Sequence, residues 1–134
     1  MRKITLFLLA AFCLTLVGCS KDAEVEAFIN EWDATTAEIV KKIDDNPTAE
    51  GVDEAQKVFD AKKDSLKNKW DAIKTARGMQ ISEATQKKLN ESTEKNSKLI
   101  TDVSTKNAMS LGSDPDAVNK FKKLMDDYGS TFKM

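Results

Sequence analysis

The chain has 134 residues, and its 21 Lys and Arg against 22 Asp and Glu leave a formal charge of −1, with no histidine. That length fits one small domain, and the even charge balance lacks the basic excess of a nucleic-acid binder. Without histidine, the commonest metal ligand and the side chain that titrates near neutrality are both missing.

Arg2 and Lys3 open the chain, and Ile4 to Val17 follow as an apolar segment interrupted only by Thr5 and Thr15. This is the layout of a secretory signal, and the segment is shorter than the ~20 apolar residues of a spanning helix. Leu16-Val17-Gly18-Cys19 closes it, with aliphatic residues three and two places before the cysteine and a small residue directly before it. The tetrapeptide resembles the lipobox of bacterial lipoproteins. The resemblance implies cleavage between Gly18 and Cys19, with loss of residues 1–18, Cys13 among them. It also implies covalent attachment of diacylglycerol and an N-acyl chain to Cys19, and no other cofactor. Cys19 is then the lone cysteine of the mature chain and is alkylated, so no intrachain disulfide forms even in an oxidising compartment. Ser20 is not the aspartate by which enteric bacteria retain lipoproteins in the inner membrane. In a Gram-negative cell the resemblance therefore favours the outer membrane, facing the periplasm. It covers the leader alone and implies nothing about the body, residues 20–134.

The first helix is predicted over 22–44, where Val25, Phe28, Ile29, Trp32, Ile39, Val40 and Ile43 recur at spacings that place them on one face. Asp44-Asp45-Asn46-Pro47 ends it, because proline disfavours helical geometry in the residue before it. The second helix, over 48–77, carries Val52, Ala55, Phe59, Leu66, Trp70 and Ile73 on its stripe, with Gly78 as a stop. Ser82 is the expected cap of a third helix over 82–110. There Leu89, Leu99, Ile100, Val103 and Met109 keep the helical spacing, while Thr85, Thr93 and Asn96 interrupt the stripe. The fourth helix starts at Ser113-Asp114-Pro115-Asp116, with the serine as cap, and carries Val118, Phe121, Met125, Tyr128 and Phe132.

Short gaps between helices imply antiparallel neighbours, so the expected fold is all-α, an up-down-up-down four-helix bundle. The alternative is a bent three-helix bundle with a loose third helix. In the four-helix bundle the start of the first helix, the turn between the second and third, and the C-terminus share the membrane-proximal end. The distal end collects the turns at Pro47 and Pro115. Residues 37–60 and 100–118 hold four basic against ten acidic groups, so the distal end is acidic while the near end is close to neutral. Lys67, Lys69, Lys74, Arg77, Lys87 and Lys88 fall at the near end, either as cations facing anionic headgroups or as ordinary solvated charges. Both tryptophans fall on apolar stripes, and Trp70 lies toward the membrane end.

No nucleophile elbow, H-E-x-x-H or P-loop occurs, and Asp114-Pro115-Asp116 lacks the further acid and glycine of a calcium loop. The expectation is therefore a non-catalytic protein. The leading reading is a membrane-anchored interaction module that binds another envelope protein through its acidic distal end, with no nucleic-acid partner. One alternative is a structural spacer between membrane and cell wall. The enteric spacer lipoprotein attaches through a C-terminal lysine, whereas here Lys133 is followed by Met134. The other alternative is a carrier of a lipid or small apolar ligand, with the polar interruptions of the third helix marking a seam that opens.

Overall fold

A computed structural model describes residues 20–76 and 80–132. Five helices account for most of them: α1 (Asp22–Asp45), α2 (Ala49–Ile73), α3 (Glu83–Lys106), α4 (Ala108–Gly112) and α5 (Pro115–Thr131), with no strand among the described residues. The fold is all-α. Leu16-Val17-Gly18-Cys19, Arg77, Gly78, Lys133 and Met134 lie outside the described residues.

Each break has a local cause. Pro47 follows the end of α1 at once, and Thr48 caps α2 by accepting from the Gly51 amide. Gly51 is required there: a Cβ on it would lie 1.7 Å from the Asn46 carbonyl oxygen. Ser82 caps α3 as its sequence position implies, accepting from the Thr85 amide. Three boundaries differ from expectation. Helix α2 ends at Ile73 rather than at 77, with Lys74 as its C-cap. Asp114, not Ser113, caps α5, because its carboxylate reaches the Asp116 amide while the Ser113 hydroxyl turns back to the Ser110 carbonyl. The third helix does not continue to 110 but breaks at buried Asn107, whose side-chain amide donates to Asp44 of α1 and to the Val103 carbonyl.

The close-packed pairs are α1 with α2, α1 with α3, and α2 with α5, while short α4 touches both α3 and α5. Glu31 meets Lys69 and Lys42 meets Glu54, so α1 and α2 run antiparallel. Asp53 meets Lys120 and Gln56 meets Asp127, so α2 and α5 run parallel. Consecutive α2 and α3 are not a close-packed pair; α1 is the neighbour of both. Nor are α3 and α5. At one end the Lys21 amide donates to the Gln80 carbonyl and the Ser82 amide to Asp22, joining the start of α1 to the start of α3.

Two apolar clusters fill the interior. Ile39, Ile43, Val52, Phe59 and Leu124 anchor one, and Val25, Phe28, Trp32, Leu66 and Ile73 the other. Each such side chain contributes about 1.5–3 kcal/mol when fully buried. Two expected core residues face outward instead: Met109 is 91% exposed and Val118 44%. The break at Asn107 takes Met109 off the inner face of α3, and Ala117, Leu124 and Thr131 form the buried line of α5.

The α1–α3 seam is built differently. Of the buried residues of α3, Thr85, Ser92, Asn96 and Val103, only Val103 is apolar. Three carboxylates of α1 hold the helix instead. Glu26 pairs with Lys88 at 2.5 Å, Asp33 with Lys95 at 2.8 Å and Asp44 with Lys106 at 3.0 Å. Every pair is offset by the same 62 residues along the chain, so the two helices run parallel in a fixed register. The last two contacts share one design. One carboxylate oxygen takes the lysine and the other takes the side-chain amide of the next residue, Asn96 or Asn107, at 2.8 Å. Ser92 adds its hydroxyl to the Asp33 oxygen at 2.5 Å.

Burial works to raise the Asp33 carboxyl, but the hydrogen bonds from Lys95, Ser92 and Asn96 overcome it and hold the group below the ordinary carboxylate value. Asn107 and then Lys106 do the same for Asp44. Two outcomes are expected. Asp33→Ala strands the Ser92 hydroxyl and the Asn96 amide, so urea unfolding should show a loss of about 1–3 kcal/mol. A change under about 0.5 kcal/mol, the size of an ordinary surface substitution, would contradict this reading. Because both folded carboxyls sit low, their stabilisation is complete above about pH 4 and is lost as pH falls through the folded values. Asp44→Asn should therefore flatten the acid limb of a stability–pH curve.

Candidate functional site

With α3 fixed to α1 and α5 fixed to α2, a groove of about 530 Å³ runs between α3 and α5. Thr93, Ser97, Ile100, Thr101, Ser104 and Thr105 form the α3 wall, Met125, Tyr128 and Gly129 the α5 wall, and Trp32 lies between them. None of these residues is charged, in a chain that is 32% charged overall. Four other concavities of the described surface each have Lys, Asp or Glu in their walls.

The α3 wall looks polar in sequence and behaves otherwise. Thr93, Thr101 and Ser104 donate their hydroxyls back to the carbonyls of Leu89, Ser97 and Ile100 at 2.8–2.9 Å. Such back-bonding spends the donor within the helix and leaves methyl and methylene groups available to the groove. On the α5 wall Gly129 has no side chain, and a Cβ built there meets nothing within 4 Å.

The floor is rigid and internally satisfied. Trp32 Nε1 donates to the Tyr128 hydroxyl at 2.6 Å, and that hydroxyl shares a second 2.6 Å hydrogen bond with Thr36, which is fully buried. Phe28, Trp32, Tyr128 and Phe132 lie with ring centroids 5.1–5.9 Å apart, and Phe59 stacks at a tilt on Tyr128. Ring pairs at such spacing add about 0.5–1.5 kcal/mol each beyond burial. Tyr128 thus packs against both apolar clusters and fixes α5 to α1 across the interior.

The cations singled out in sequence lie elsewhere. Lys67 and Lys74 share Asp71, Lys87 pairs with Glu91 on its own helix, Lys69 crosses to Glu31, and Lys88 crosses to Glu26. Lys69 and Lys88 therefore occupy seams on different neighbours of α1. Arg77, Gly18 and Cys19 fall outside the described residues. Trp70 is half-buried against Phe28 and Phe132, and its indole N–H finds no acceptor among the described residues. Among those residues no group of His, Cys, Asp and Glu is arranged to hold a metal ion, and no helix is long and apolar enough to cross a membrane.

Burial pushes the Tyr128 phenol above its ordinary value, against the opposing pull of its bonds to Thr36 and Trp32. Tyr128 is the only tyrosine in the chain, so the near-ultraviolet absorbance of the phenolate reports on it alone. It should titrate above about pH 10 when folded and at about 10 in denaturant. Because the unfolded phenol ionises first, stability should fall as pH rises past that point. Coincident folded and unfolded titrations would contradict the buried placement.

No protein-family model, curated protein or solved structure matches the chain.

Proposed function

We propose that this chain is a lipid-anchored, non-catalytic binding module of the bacterial cell envelope. Its body is a four-helix bundle with three closed seams and one open seam, and the open seam between α3 and α5 is the binding element. The observation that carries this reading is the charge-free lining of the groove. Soluble helical surfaces are dense in Lys, Asp and Glu, and an uncharged concavity of this size falls within the ~300–1,000 Å³ range of ligand sites. The Leu16-Val17-Gly18-Cys19 lipobox supports the anchor. Helix α1 begins at Asp22, within a few residues of Cys19, so the bundle would sit close to the bilayer with the acidic turns pointing away. Against the carrier reading stand two exposed apolar side chains on either side of Pro115, Met109 and Val118, and these favour a protein partner there as a second reading.

Anchor and groove are tested separately in a Gram-negative host. Labelling with an alkyne-bearing palmitate should mark the parent chain in the membrane fraction, and Cys19→Ala should remove both label and membrane association. Retention of label in Cys19→Ala would contradict the anchor. Native mass spectrometry of the protein released from its membrane should show a co-purified apolar mass that Gly129→Phe, which projects into the groove, removes. Identical spectra for parent and variant would contradict the groove as the binding element.

A further inference from the structure

We infer that the α3–α5 groove holds an acyl chain of a phospholipid, laid along α3 with its charged headgroup outside. This rests on the groove being the binding element and adds what occupies it. Shape is the first ground. From Thr93 to Thr105 the α3 wall is about 18 Å long at 1.5 Å per residue, so the space of about 530 Å³ is an elongated trough in which an extended hydrocarbon chain lies along the helix.

Charge is the second ground. An ionised group inside would find no counter-ion in the lining, and an unpaired buried charge is expensive. The occupant is therefore uncharged along the stretch it buries and keeps its charged end in water. Hydrogen bonding is the third. The Tyr128 hydroxyl is committed to Trp32 and Thr36, and the hydroxyls of Thr93, Thr101 and Ser104 to their own helix. Of the hydroxyls on the α3 wall only those of Ser97 and Thr105 are left to bond an occupant, so a sugar or an extended peptide would lose most of its bonds to water. A polymethylene chain loses none. Met125 on the α5 wall is flexible and polarizable, suited to a chain with no fixed shape. Chain length is matched as well, because one wall of about four helical turns accommodates a long chain in extended form.

Trp32 lines the groove and Trp70 does not, which gives a direct reporter. The anchored Trp70→Phe protein is placed in nanodiscs of unbrominated phosphatidylcholine and titrated with a lysophosphatidylcholine brominated on its acyl chain. Saturable loss of most Trp32 emission is expected, with none from the unbrominated lipid. Gly129→Phe, or Thr101→Phe on the opposite wall, should abolish the loss; Gly112→Phe, equally open but in α4, should retain it. Should Trp70→Phe not fold, the same quench is read in the parent and must vanish in Trp32→Phe. Equal quenching in Gly129→Phe, or none in the parent, overturns the inference. N-phenyl-1-naphthylamine, a compact neutral probe, separates the two levels. If its fluorescence rises in the parent and not in Gly129→Phe while the brominated lipid stays silent, the acyl chain is wrong and the groove stands. If both are silent, both fail. A photo-crosslinker at Thr101 that captures a protein segment in cells also overturns it.

Discussion

The constraint on which the arrangement depends is the ladder of carboxylates that fixes α3 on α1. Glu26, Asp33 and Asp44 are separated by 7 and 11 residues, and Lys88, Lys95 and Lys106 repeat those separations. At 100° per residue these steps return to within about 20° of one line on the helix surface, so each set forms a single row. A constant offset lets all three pairs close in one register. A slip by one residue would break all of them and bury Asn96 and Asn107 against nothing. Exposed ion pairs alone contribute little, about 0–1 kcal/mol each. The specificity comes from the two amides and the Ser92 hydroxyl, which are buried and depend on the same carboxylates.

That ladder explains why one seam stays open. Helix α3 is committed to α1 on its buried face, while α5 is committed to α2 and to the interior through Tyr128 and Phe132. The two outer helices face each other with what is left of their surfaces. On α3 that is a row of small hydroxyl side chains around Ile100, of which Thr93, Thr101 and Ser104 turn back on their own backbone, and on α5 it is Met125 and Gly129. Helix α4 bridges both at one end. The result is an uncharged channel in an otherwise charge-rich surface, with a floor whose polar atoms are already satisfied.

Much of the fold was legible in the sequence. The stripes of α1 and α2 are the observed core almost residue for residue, and Pro47, Ser82 and Pro115 mark real boundaries. The third helix was not readable in the same way, because it presents two faces that a single stripe merges. Thr85, Ser92, Asn96 and Val103 face α1, whereas Thr93, Ser97, Ile100 and Thr101 face the groove. Taken as one pattern, Thr93 and Asn96 look like interruptions; as two, each row is regular. The acids of α1 and lysines of α3 were visible individually, but their matched 7 and 11 spacings relate segments far apart in the chain. The groove was foreshadowed only as a looser seam, since its absence of charge arises from which residues the packing leaves outside. Shifting the buried line of α5 to Ala117, Leu124 and Thr131 left Val118 outside and half-buried Met125 free to line it.

Helix α3 is held chiefly by polar contacts, with Val103 buried and Leu89 half-buried against the interior, while α1, α2 and α5 are held by apolar burial. Native-state amide hydrogen exchange tests this most directly, because it resolves the opening free energy of each helix. Amides of α3 between Ser92 and Val103 are predicted to exchange through an opening that costs less than global unfolding. Those around Ile39, Phe59 and Leu124 are predicted to require the whole molecule to unfold. Equal protection across all four long helices would contradict a polar attachment of α3.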